Sequence, residues 1–187
     1  MNDKPYVIGI GGGTCSGKST LAIMLAKTLG KDRGVSIIHL DDYYRWETRR
    51  VTAPFTHAEY VDHNHPCGVD VDAMNAGFSA AVSDVANAVV LVEGLFALHF
   101  AHIRERCDLK VYVDLHSDER LYRRIKRMIS YESLDEIALR YLDTVRYRHD
   151  EFVEPTRWYA DVVLNGALDM HVGVDAVAAY IDAQIRG

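Results

Sequence analysis

The sequence predicts an α/β fold, a three-layer sandwich in which a five-stranded parallel sheet carries helices on both faces. Short runs rich in Val and Ile alternate with amphipathic stretches of helical length, the pattern of strands buried on both sides. The first run leads through a glycine-rich turn straight into a helix. At 187 residues the chain is also long enough to bury a core without disulfide or metal staples.

The first strand, Tyr6-Val7-Ile8-Gly9-Ile10, runs into Gly12-Gly13-Thr14-Cys15-Ser16-Gly17-Lys18-Ser19-Thr20, and the apolar run 21–29 continues as a helix. This is a Walker A phosphate loop in the setting it requires. Its glycines let successive backbone N–H groups turn toward a phosphate, Lys18 reaches the outer phosphates, the Ser19 hydroxyl suits Mg²⁺, and the helix N-terminus adds its dipole. A P-loop NTPase form of the sandwich follows, with a site for a nucleoside triphosphate. A second strand at 35–40 ends at Asp41-Asp42. The polar, aromatic and histidine-rich stretch 43–70 is too long for a simple connector and reads as a substrate-binding insertion. A helix at 71–87 leads to a third strand, 89–92, closed by Glu93-Gly94. The fourth strand spans 109–114, followed by a basic helix at 117–129, a helix at 134–148, a fifth strand at 160–164 and a closing helix at 174–186. No repeat, low-complexity tract or Pro/Gly/Ser-rich linker divides the chain, so residues 1–187 read as one domain.

Composition is that of an ordinary soluble globule, with 49% hydrophobic and 26% charged residues. A net charge of −6 argues against nucleic acid or an anionic membrane surface as partner. No apolar stretch approaches membrane-spanning length, and the start leads into the first strand without a signal-peptide pattern, so a cytoplasmic location is expected. Cys15, Cys67 and Cys107 are odd in number and widely spaced, which points to reduced thiols. Self-association stays open.

Phosphoryl transfer asks for a phosphate cradle, a metal, a group that orients or deprotonates the acceptor, and cations over the transferring group. Asp41, just past a strand end, suits proton acceptance or the metal shell; a plain loop carboxylate is the alternative. Glu93 closes the third strand where a metal-associated acid is expected, with Ser19 as the other metal-side residue. Arg120, Arg123, Arg124 and Arg127 share a broad helix face, where their repulsion calls for an anion such as the ATP triphosphate or for neighbouring carboxylates. Arg123 is the catalytic candidate among them, beside Asp41 and Lys18. His57, His63, His65 and Cys67 lack the paired spacing of a zinc site and read as recognition-loop or surface residues.

Together these stretches resemble the uridine kinase branch of P-loop kinases, the group that also holds nicotinamide riboside kinases, phosphoribulokinases and bacterial pantothenate kinases. The likeness rests on residues 11–20, on His39-Leu40-Asp41-Asp42-Tyr43-Tyr44-Arg45, and on Asn64-His65-Pro66 with Asp70. It continues through Val92-Glu93-Gly94, residues 118–127, and the run from Tyr141 to Asp161. The resemblance implies ATP·Mg²⁺ phosphorylation of a sugar or nucleoside hydroxyl, with Asp41 as base, Ser19 and Glu93 near the metal, and the arginine helix within a lid at 117–150. Three departures stand out. Asn64 occupies the place where uridine kinases carry an aspartate for the ribose hydroxyls, with Asp62 two residues earlier as a substitute. One helix fills the space of the pyrimidine-reading hairpin between Pro66 and Glu93, and the lid lacks an Arg-Gly-Arg element. Tyr43, Tyr44, Trp46, Tyr60, His63 and His65 are left to contact the acceptor's distal group, with Tyr44, Asp62, Asn64 and His65 as the substrate-site set. A nucleoside-monophosphate kinase, with Arg45, Arg49 and Arg50 on the acceptor phosphate, is a second reading. A nucleotide-dependent switch is a third, disfavoured by the lack of an NKxD motif.

Overall fold

The computed structural model describes residues 4–30, 33–45 and 50–186; Trp46 and Arg49 lie outside the described residues. Its centre is a parallel five-stranded sheet of β1 (Tyr6–Gly12), β2 (Val35–His39), β5 (Val89–Glu93), β6 (Leu109–Asp114) and β7 (Val162–Asn165), in the order β2-β5-β1-β6-β7. β3 (Arg50–Thr52) and β4 (Glu59–Val61) form a separate antiparallel hairpin inside the insertion. The five sheet strands are those expected from the Val/Ile runs.

Alternation along the strands divides the core in two. Val7, Val90, Val92 and Tyr112 face one side, where α2 (Val71–Ser83) packs Met74 and Phe78 against them. Ile8, Ile10, Leu91 and Val111 face the other, covered by Leu21 and Leu25 of α1 (Lys18–Leu29) and Val174 and Ile181 of α7 (His171–Arg186). A period of two on each strand thus supplies a hydrophobic layer to each helix layer.

The helices differ from expectation at their ends. α2 stops at Ser83 because Asp84 takes extended geometry and its side chain accepts the Ala86 N–H at 2.9 Å, a local bond that competes with helix continuation. α3 (Ala101–Arg104) is a single turn before β6. α4 (Ser117–Met128) matches the expected basic helix. α5 (Leu134–Arg140) starts on a capping box in which Ser133 and Glu136 satisfy each other's backbone N–H groups. The expected helix to residue 148 then changes character: π-helical turns at Tyr141–Val145 and His149–Val153 flank the short α6 (Arg146–Arg148). Pro155 begins the 3-10 turn Glu154–Tyr159 that ends this stretch. Among the described residues no helix is long and apolar enough to cross a membrane.

Candidate active site

Register places the site. Glu93, the last residue of β5, pairs with Ile10 of β1 on one side and with His39 of β2 on the other. The phosphate loop that follows β1 and the acidic turn that follows β2 therefore emerge beside Glu93, at the carboxyl edge where parallel sheets bind ligands.

Two glycines of the loop are fixed by space. Gly12 has φ 137°, and a Cβ there would meet the Val113 carbonyl oxygen at 2.4 Å. A Cβ on Gly13 would meet Arg120 Nη1 at 2.6 Å, so an arginine lies directly against the loop backbone. Lys18 is buried and donates to the Gly13 carbonyl at 2.8 Å, which folds its side chain back along the loop. Burial lowers its pKa, opposed by the carboxylates of Glu93 and Asp41. Cys15 is half-buried with φ 59° and lines the cleft.

Ser19 donates its hydroxyl to Glu93 Oε1 at 2.8 Å, and His39 Nδ1 approaches the same oxygen at 2.7 Å, a contact that requires the proton on Nδ1. The shared β2–β5 register explains why His39 reaches Glu93. Glu93 itself is buried. Asp41 lies in the 3-10 turn Leu40–Tyr43, open to the cleft. Its pKa is raised, first by crowding of the surrounding protein and then by Glu93, with Lys18 and Arg127 pulling the other way. A raised carboxylate next to a phosphate cradle suits transient proton acceptance.

Helix α4 divides its arginines by rows. Arg120 and Arg124, four residues apart, lie buried under the phosphate loop: Arg120 Nε donates to the Leu115 carbonyl at 3.0 Å, and Arg124 Nη1 reaches Thr14 Oγ1 at 3.4 Å. Arg120 Nη1 and Arg124 Nε are buried with no partner among the described residues. Arg123 and Arg127, the next row of the same spacing, line the cleft. Arg123 is held by Glu119 Oε1 at 2.8 Å and the Gly166 carbonyl at 2.9 Å. The cleft between these groups has a volume of about 330 Å³. The broad common face expected of these arginines is thus divided: Arg120 and Arg124 are enclosed, while Arg123 and Arg127 face the cleft.

A smaller recess continues from this cleft, sharing Thr14 and Leu95 with it and lined further by Asn64, Arg148, His149 and Val153. Asp62 lies beside it, buried, with both carboxylate oxygens engaged by the Asn64 N–H and by Arg148. The Tyr44 hydroxyl is buried without a partner among the described residues; burial, then Asp41 and Asp62, push its pKa above the ordinary tyrosine value. His65 Nδ1 accepts the Cys67 N–H at 3.1 Å, and its ring meets Phe152 edge-on at 4.6 Å. The hairpin that carries this region is tied down by Thr56 and Tyr60, whose hydroxyls both donate to the buried Asp143 at 2.7 Å.

Three residues at the site escaped sequence reasoning: His39, Arg148 and His149. His39 follows from strand register, which the two strand assignments together could have given. Arg148 and His149 sit in what reads as plain helix, and nothing in the local pattern marks the π-helical turn that begins at His149.

A family model described as the phosphoribulokinase / uridine kinase family matches residues 81–173, from the end of α2 to the start of α7. Among curated proteins, a uridine kinase of Deinococcus deserti is 36% identical over 97% of this chain and 98% of its own length. A uridine kinase of Bacillus pumilus is 30% identical over 100% of this chain and 98% of its own. Among solved structures, a "Possible Uridine Kinase" from Bacillus stearothermophilus superposes with TM-score 0.55 at 21% identity, covering 88% of this chain and 90% of that one. The shikimate kinase of Bacteroides thetaiotaomicron gives TM-score 0.52 at 16% identity over 98% of this chain and 99% of its own. At these identities the two structures bear on the fold alone.

Proposed function

The chain belongs to the phosphoribulokinase/uridine kinase family and is an ATP-dependent kinase, and from that premise we propose that it transfers the γ-phosphoryl group of ATP to a hydroxyl of a nucleoside or similar small molecule. The convergence of Lys18, Ser19, Asp41 and Glu93 at the ends of three adjacent strands supports this reading most strongly. In it, residues 12–20 hold the β- and γ-phosphates with Lys18 at the outer oxygens. Asp41 orients the acceptor hydroxyl and takes its proton. Arg123 and Arg127 approach the transferring group from a lid at 117–150, while Arg120 and Arg124 act on the nucleotide through the loop they support. The insertion at 43–70 encloses the acceptor, and all of this forms one kinase domain.

The donor set suits Mg²⁺. Ser19 and Glu93 offer hard oxygen ligands already within hydrogen-bond distance of each other, and Asp41 faces the same cleft. Among the described residues no three His, Cys, Asp or Glu side chains converge as a cage of their own, which fits a cation shared with phosphate oxygens. Bound there, the ion would neutralise charge developing between the β- and γ-phosphates. Cys15, Cys67 and Cys107 are free thiols, in keeping with the reducing cytoplasm.

ADP formation measured across ribosides, pantothenate and nucleoside monophosphates tests the proposal. Turnover with a free hydroxyl compound supports it. Turnover confined to monophosphates would move the activity to a nucleoside-monophosphate kinase, and no ADP with any acceptor would remove it.

A further inference from the structure

Glu93 is held from two sides, and one of its holders stands outside the phosphate loop. On β2, Ile38 enters the core on the α2 side of the sheet, while Val35 and Ile37 pack on the α1 side. The two-residue period of a strand carries that second stripe on to His39. On β5 the same period runs through Val89 and Leu91 to Glu93. The parallel register pairs Val35 with Val89, Ile37 with Leu91 and His39 with Glu93, so two apolar stripes end side by side in a polar pair. Ser19, in the first turn of the helix that covers this face, meets that pair.

An aliphatic side chain at His39 would continue the stripe and cover the sheet equally well. What the ring adds is a donor. His39 Nδ1 donates to Glu93 Oε1 at 2.7 Å, and the Ser19 hydroxyl donates to the same oxygen at 2.8 Å. The Glu93 side chain is 5% exposed and that of His39 is 38% exposed, so the carboxylate is enclosed and the ring reaches it from the rim. An enclosed carboxylate is unfavourable without donors, which accounts for some donor at His39 on structural grounds alone. The pattern of bonds goes further. Because Ser19 gives its hydroxyl proton to Glu93, both lone pairs of its oxygen remain for the cleft. Because both donors take Oε1, the second carboxylate oxygen keeps its acceptor capacity for the space that Glu93 borders.

We propose that His39 is a positioning residue for the divalent cation. By fixing Glu93 Oε1 it keeps the Ser19 proton turned away from the cleft and presents the oxygens of Ser19 and Glu93 to the ion. This rests on the assignment of Ser19 and Glu93 to the cation in the kinase reading above, and His39 acts only through Glu93.

Mn²⁺ binding to the protein loaded with a non-hydrolysable ATP analogue tests this without turnover, with protein in excess over the analogue and free Mn²⁺ read by electron paramagnetic resonance. His39→Leu should weaken Mn²⁺ binding by about 10- to 100-fold, the scale for removing the hydrogen-bond partner of a metal-side ligand. Kd for the analogue in EDTA should stay unchanged. His39→Asn, whose amide nitrogen falls where Nδ1 stands, should recover most of the Mn²⁺ affinity. If His39→Leu does not fold, His39→Val, β-branched and suited to a strand, replaces it in the comparison. In the metal-free wild type, NMR of the His39 ring should find a proton on Nδ1. Three results overturn the proposal: Mn²⁺ bound as tightly without the imidazole as with it, His39→Asn as weak as the aliphatic variant, or a ring protonated on Nε2 alone. A purely structural role would lower Tm in the aliphatic variant and leave Mn²⁺ affinity intact. Failure of the underlying cation assignment looks different: the loaded wild type would then bind Mn²⁺ no better than the free analogue does, which would remove that assignment and the role of His39 together.

Discussion

The two halves of the cleft are built by different means. The donor half is set by backbone: a glycine-rich loop between β1 and α1, and a register that seats Glu93 between Ile10 and His39. The half proposed to enclose the acceptor is set by side-chain pairs between segments far apart in sequence, Thr56 and Tyr60 with Asp143, and Asp62 with Arg148. Backbone-built geometry tolerates little change, because every strand neighbour shares it. Side-chain-built geometry can be exchanged residue by residue.

The largest effect is expected at the loop lysine. Lys18→Ala should reduce kcat by about 10³-fold, the scale for losing a preorganised charge at the transition state, with the far-UV circular dichroism unchanged; unaltered turnover would end the account of the donor half. Asp41→Asn should lower kcat by about 10²-fold or more, as for loss of a general base. Because the Asp41 pKa is raised in the free protein, kcat/KM of the wild type should fall as pH drops toward a value above the ordinary carboxylate range, and the variant should lack that acid limb. A change limited to KM would assign Asp41 to binding.

Arg123→Ala should cost about 10- to 100-fold in kcat/KM, as for one charged hydrogen bond. Arg33→Ala, which removes a surface pair with Asp182 remote from the cleft, should leave kinetics unchanged. Equal effects would mean that α4 acts only as scaffold. Asp143→Ala sharpens the comparison most directly. Freeing the Thr56 and Tyr60 hydroxyls should raise KM for the acceptor and leave KM for ATP unchanged, with a loss of about 1–3 kcal/mol in stability. A rise in both KM values would show that the two halves are mechanically one.

His149 gives the most gradual effect. Burial, then the charge of Arg120, lowers its pKa from the ordinary 6.5 to about 4, so the unfolded chain binds a proton there before the folded one does. Stability is therefore full above about pH 6.5 and declines as pH falls toward 4, by at most about 1.4 kcal/mol per pH unit from this group. Thermal melts of His149→Gln should show a shallower decline over that window.

The same contrast decides what could be read from the sequence. Strand periodicity and the Gly12–Ser19 spacing are local signals, and they carried the sheet, the phosphate loop and the strand-end acids. The hairpin could not be read, because Arg50–Thr52 and Glu59–Val61 are three-residue strands with no period to detect. The π-helical turns have the composition of ordinary helix, so no local signal separates them from it. Asp62 could be singled out as a candidate from the sequence, but its partner lies 86 residues away, and no spacing rule reports such a pairing. The split of the arginines was hidden for a related reason: helical geometry groups Arg120 to Arg127 on one face, and only the position of α4 against the loop decides which row is enclosed.

Cys15 gives the phosphate loop a built-in chemical reporter. Its thiol borders the space that a triphosphate would fill, Cys107 is buried, and Cys67 is exposed but far along the insertion. In a Cys67→Ser background, the rate at which a maleimide dye labels the protein becomes a gauge of nucleotide occupancy, slowed by whatever fills the loop. Such labelling needs no acceptor, so ATP, GTP and their analogues can be ranked at equilibrium while the acceptor screen is still in progress.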